Sequence, residues 1–160
     1  MEKNDVLTAA QRRSQLLLIG AMLFVGGFFA YHQLSNTGFF TFKFGPLEML
    51  ALYGPIAVSL AAPIIRALSG HRNPASLFDT ATRLLLAIGS LELVLVFPLD
   101  FAHIADVLPG AIRFILSWMT NDFGRLVLLL QVILGCVTAV AAIFKYLSTP
   151  RGRHNNLSLP

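Results

Sequence analysis

Glu92 stands in the run Ser90-Leu91-Glu92-Leu93-Val94-Leu95, inside an apolar block that covers 84–105. A carboxyl group there can carry a proton or pair with a cation. An acid at mid-membrane depth costs roughly 2.5–3.5 kcal/mol on insertion scales, so its presence points by default to a role. Proton relay or ion coupling is one such role. A packing acid hydrogen-bonded to another helix is the other, with Ser59 at similar depth on the second block. Gln131, nearer the outer side of the last block, reads as a hydrogen-bonding link between helices.

A second polar group gathers at the block ends. His32 closes the first, Glu48 opens the second, and Asp100, His103 and Asp106 end the third. On one unbroken helix, residues 92 and 103 would differ by about 20° in azimuth. Glu92 and His103 would then share a face, with Asp106 nearby, and the cluster could pass protons inward from the outer surface. His and carboxylate side chains are also ligands for divalent metals. His32 and His103 could hold a haem axially, as facing helices of bundles do. Ordinary polarity at helix ends requires none of this. No HExxH and no closely spaced His pair sharpens the metal reading, and no cofactor is expected.

Other catalytic patterns are missing. The chain has no GxSxG, no Walker loop and no GxGxxG. Its one cysteine, Cys136, allows neither an intramolecular disulfide nor CxxC chemistry, which argues against a thiol oxidoreductase. It reads as a small buried apolar residue. The expectation is a protein that is not an enzyme.

The elements that must position these residues are four apolar blocks, at 16–34, 47–65, 84–105 and 126–147. The 160-residue chain is 56% hydrophobic and 12% charged, where a soluble domain is about a quarter charged. Roughly 20 apolar residues cross a bilayer as a helix, and backbone groups in lipid must satisfy one another. The sequence therefore predicts an all-α, polytopic integral membrane bundle. It has a tail at 1–15, one four-helix transmembrane domain at 16–147, and a tail at 148–160.

Positive charge alternates in step with the blocks. Lys3, Arg12 and Arg13 precede the first, and Lys43 alone follows it. Arg66, Arg72 and Arg83 lie between the second and third, Arg113 and Arg125 before the fourth, and Lys145, Arg151 and Arg153 at its end. Cytoplasmic loops retain Lys and Arg. Both termini are thus expected in the cytoplasm, in a cell (plasma or inner) membrane. The formal charge of +4 is explained the same way. With no dense basic run among aromatics, nucleic acid is not an expected partner. The first block resembles a signal peptide in outline, but it is long and lacks a clear A-x-A site. It is expected to be a retained span.

Smaller signals refine this picture. Gly26, Gly27 and Ala30 form a small-residue strip on the first span, Gly54, Ala57 and Ala61 on the second, and Gly135 and Ala139 on the fourth. Pro55 and Pro63 should bend the second helix and Pro98 the third. In the loop before Pro46, Phe40, Phe42 and Phe44 alternate with Thr41 and Lys43. That is a strand period, read as an interfacial segment or as an edge that pairs with a partner. Asn73-Pro74 reads as the start of the third helix, and Asn121 and Asp122 as caps of the fourth. Residues 107–120 read as a short amphipathic helix on the outer surface, with Trp118 at headgroup level.

Strips on three spans exceed what one small bundle needs. The expected partners are the lipid bilayer and either further copies or other membrane subunits, with the chain acting as a non-enzymatic accessory or structural subunit. A small proton- or ion-coupled transporter using Glu92 is the alternative. A haem or metal protein using His32 and His103 is a third reading.

Overall fold

The computed structural model describes residues 6–71 and 76–148. Four α-helices carry it: α1 (Ala9–Leu34), α2 (Pro46–Ser69), α3 (Ser76–Val96) and α4 (Asn121–Ser148). Two 3-10 helices, Phe101–His103 and Gly110–Ile115, lie between α3 and α4. The expected helix start at Asn73-Pro74 and the tail at 149–160 lie outside the described residues, and Ala139 is described by its backbone alone.

Local chemistry fixes most helix ends. Thr8 and Gln11 form a capping box at the start of α1, with Gln11 N–H donating to Thr8 Oγ1 at 3.3 Å and Thr8 N–H to Gln11 Oε1 at 3.0 Å. Pro46 opens α2 after Gly45, whose N–H donates to Glu48 Oε2 at 2.9 Å. Gly70, at φ 71°, ends α2 in the left-handed conformation that glycine adopts freely. Helix α4 departs from expectation. Thr120 Oγ1 accepts from Phe123 N–H at 3.2 Å and so caps the helix, while Asn121 turns to the loop.

Among the described residues, three helices are long and apolar enough to cross a membrane: α1, α2 and the 121–138 stretch of α4. Helix α3 has the length but carries Asp79, Arg83 and Glu92. Large apolar side chains stand exposed on every helix, among them Leu17 at 76%, Leu68 at 78%, Leu95 at 73% and Leu134 at 62%. Such continuous apolar surface suits lipid and would be a liability in water.

The helices pack in series. Among the described residues, backbones approach only between α1 and α2, α2 and α3, and α3 and α4. The arrangement is an open row. Two glycines set its spacing. A Cβ at Gly89 would collide with the Ala51 carbonyl on α2, and one at Gly135 with Ala87 on α3. Ala51 is four residues before Pro55, which has no N–H to offer its carbonyl. The expected strips are only partly used: Gly26 meets Ile56 at 3.4 Å, Gly27 meets nothing within 4 Å, and Gly54 meets only Leu50 of its own helix. Gly89→Ala should therefore destabilise by about 1–3 kcal/mol through overpacking. Gly27→Ala should be neutral or stabilise by up to about 1 kcal/mol through helix propensity. Thermal unfolding of the two variants in detergent checks the contrast, and equal midpoints would contradict it.

The expected third span, 84–105, is not one helix. Pro98 does not bend α3 but follows its end. Phe97 N–H still bonds Leu93 O at 3.0 Å, yet Phe97 adopts φ 44°, and the chain then runs extended. A proline at this position cannot supply the next helical donor and disfavours α geometry before it. The Arg125 guanidinium lies 4.3 Å from the centroid of the Phe97 ring, a cation–π contact that helps hold this unusual residue. The 107–120 stretch likewise forms only a six-residue 3-10 helix, Gly110–Ile115.

The freed segment builds a cap over one end of the row. Phe40 and Leu99 form an antiparallel bridge, with Thr41 N–H donating to Pro98 O at 2.9 Å and Asp100 N–H to Phe39 O at 2.7 Å. The strand-like period of the aromatic loop is thus answered within the same chain. Phe39, Leu93, Leu99, Phe101, Ile104 and Leu128 make the buried cluster beneath it. At the opposite end, Val6 bridges His71, and Leu7 N–H donates to Gly70 O at 2.8 Å.

Candidate functional sites

The polar residues at the cap end share no common hydrogen-bond network, although His32, His103 and Asp106 lie within electrostatic reach of one another. Each satisfies a separate structural demand. His32 is almost completely buried, at 1% exposure. Its Nε2 lies 3.1 Å from Ile104 O and its Nδ1 2.6 Å from Thr37 Oγ1. A ring with its hydrogen on Nε2 donates to the carbonyl and accepts from the Thr37 hydroxyl. That hydroxyl oxygen in turn accepts from Phe39 N–H at 3.4 Å. Phe28 and Phe39 flank the imidazole at 4.8 Å each. His32 therefore ties the end of α1 to the loop and to the segment after α3. Both ring nitrogens are engaged in these hydrogen bonds.

The others are similar in kind. Glu48 caps α2. Asp100 Oδ1 accepts from Ala102 N–H at 3.1 Å and caps the first 3-10 helix. His103 Nδ1 pairs with Asp106 Oδ2 at 2.8 Å, both side chains more than a third exposed. Among the described residues, no three His, Cys, Asp or Glu side chains are grouped to hold a metal ion. Because α3 stops at Val96, Glu92 and His103 are on different elements. The helical azimuth argument linking them does not apply.

The mid-depth group is also dispersed. Ser59 Oγ donates to Ile56 O at 2.6 Å and contacts Met22 Sδ at 3.2 Å, so it faces α1 and not Glu92. Gln131 Oε1 accepts from Ser90 Oγ at 2.8 Å, joining α4 to α3 at a serine that is 2% exposed. Glu92 is half-buried, and no described residue hydrogen-bonds or pairs with it. Cys136 is exposed, not buried.

Several residues that organise the cap carried no signal read from the sequence. Phe39 sits among apolar aromatics that read equally well as interfacial anchors. Thr37 bonds nearby, to the His32 ring and Phe39 N–H, whereas Asn121, read as a cap of the fourth helix, reaches across the chain: its Oδ1 accepts from Phe101 N–H at 2.7 Å. At the other end, Arg66 and Asp79 form a bidentate ion pair between α2 and α3, one arm of it Nη1 to Oδ1 at 3.2 Å. Their opposite charges on either side of the α2–α3 turn were the available clue. No protein-family model, no curated protein and no solved structure matches this chain.

Proposed function

We propose that this chain is a multi-pass membrane protein that serves as a non-enzymatic structural or accessory subunit, assembling sideways with further copies or with other membrane subunits. The open row of helices carries the reading. Among the α-helices of the described residues, α1 packs against α2 alone and α4 against α3 alone, with α4 also touching the Phe101–His103 segment, so both flanks present long apolar faces. Lipid association between such faces relies on close packing and shape, not on hydrophobic exclusion. In this reading all four helices cross the membrane, both termini face the cytoplasm, and the cap faces outward, as the distribution of Lys and Arg favours.

Cross-linking in native membranes tests the assembly. In a Cys136→Ser background, cysteine at Leu17 or Phe24, both exposed on α1, should give a cross-linked product larger than one chain. Cysteine at buried Leu93 should not. Absence of any product from α1 and α4 positions alike would reject lateral assembly. Labelling Lys43→Cys in the Cys136→Ser background from outside intact cells, with a membrane-impermeant thiol reagent, tests the orientation. Protection of that cysteine would invert it.

A second reading rests on one fact, the absence of a described partner for Glu92. If that carboxylate couples ion or proton movement, Glu92→Gln in proteoliposomes should abolish flux while leaving the unfolding midpoint unchanged. Equal flux in the variant, or none in the wild type, removes this reading.

A further inference from the structure

At the end of the row opposite the cap, α1, α2 and α3 line an open-sided cavity of about 180 Å³, with Arg83 at its exposed rim. Its polar lining comprises Gln15, Ser59, Arg66, Asp79, Thr82 and Arg83. Deeper along α1 and α2 the wall turns apolar, at Met22 and Pro63. Gln15 and Arg66 also line a second cavity of about 250 Å³ beside the start of α1. At 1.5 Å per residue, Gln15 lies only ~9 Å along the axis from the first residue of α1. In a membrane that is the depth where headgroups meet acyl chains.

Two lining residues each carry a polar atom that is closed off and without a hydrogen-bond partner, Gln15 Oε1 and Thr82 Oγ1, and a small side-chain rotation would bring either to the pocket surface. Buried polar groups are normally paired. Arg66 is held by Asp79, but no described residue pairs with the Arg83 guanidinium. Two arginines and one aspartate leave the lining with a formal charge of +1, the complement of one phosphodiester. Guanidinium groups match phosphate oxygens in geometry as well as charge. The Thr82 hydroxyl adds a donor, and Gln15 can accept from a hydroxyl of the same ligand.

We propose that this cavity binds the glycerophosphodiester headgroup of an anionic phospholipid, with Arg83 and Thr82 on the phosphate, Gln15 on a headgroup hydroxyl, and the glycerol end of the acyl chains against Met22 and Pro63. The inference rests on the membrane reading above, which is checked separately by whether the full-length chain requires detergent to leave the membrane.

Native mass spectrometry of the full-length protein in detergent, with added phosphatidylglycerol, phosphatidylcholine or soluble glycerophosphoglycerol, tests it. Phosphatidylglycerol should stay bound, one per chain, under activation that strips phosphatidylcholine. Arg83→Gln and the near-isosteric Thr82→Val should each lower its retention at least tenfold, with unfolding midpoints close to that of wild type. Retention of glycerophosphoglycerol as strong as that of the lipid would overturn the lipid assignment in favour of a soluble ligand. Equal retention of both lipids, or retention indifferent to both substitutions, would overturn the assignment of an anionic headgroup to this cavity.

Discussion

Phe39→Ala is expected to lower the stability of the cap by about 3–5 kcal/mol, the range for removing a fully buried aromatic side chain. Phe39 has 0% exposure and is the hub of the cap. Its ring stacks on Phe29 at 5.8 Å, meets Phe101 edge-on at 5.5 Å and Phe40 edge-on at 5.0 Å, and lies 4.8 Å from the His32 ring. Those partners come from α1, from the loop and from the segment after α3. Removing the ring leaves a hole shared by all three, with no single side chain free to collapse into it. Trp118, the only tryptophan, packs 4.9 Å from Phe123 in the first turn of α4 and adjoins Met119, which packs against the buried cluster, so it reports on this end of the molecule. Its fluorescence transition should move to much lower denaturant in Phe39→Ala, and less so in Phe39→Leu, which refills part of the volume. A transition unchanged from wild type would mean that the cap does not depend on this ring.

His32→Ala should cost roughly 3 kcal/mol, summing the lost packing and the orphaned partners. A second variant separates the two. His32→Phe keeps most of the volume but leaves the Ile104 carbonyl and the Thr37 hydroxyl without this partner, for a loss of about 1–3 kcal/mol. If His32 is the structural tie described here, both variants unfold earlier and Ala is the worse. Were it a ligand for haem or metal, the protein stripped of that group would be indifferent to both substitutions. Thermal unfolding of the chelator-treated protein distinguishes these outcomes.

The long elements were legible because long apolar helices are written in composition. Runs such as 16–34 and 126–147 are long enough to read as helices, and Pro46 marks the start of α2 by backbone chemistry alone. Helix α3 was harder. Its apolar run continues past Val96, and Pro98 read as a bend inside a helix. Hydropathy does not register that Phe97 turns left-handed, which the rings of Phe101 and Arg125's guanidinium help support. The error propagated, since the face shared by Glu92 and His103 existed only on an unbroken helix.

The polar residues show a related limit. Glu48, His32 and Asp100 are residue types that serve capping and catalysis equally, and their spacing in the chain does not say which. Their partners do: a backbone amide, a backbone carbonyl and a threonine hydroxyl. Small-residue strips were ambiguous for the same reason. Gly89 was overlooked although it allows the tightest approach of α3 to α2, while Gly27 belonged to a clear motif and meets nothing. A glycine's role depends on what faces it.

The proposal that this chain works as a subunit in lateral assembly is tested most directly by the intact mass of natively expressed protein, released gently from its membrane and measured by native mass spectrometry. The account predicts a mass of several copies, or of this chain together with another. A single bare chain at every concentration and in every mild detergent would contradict it.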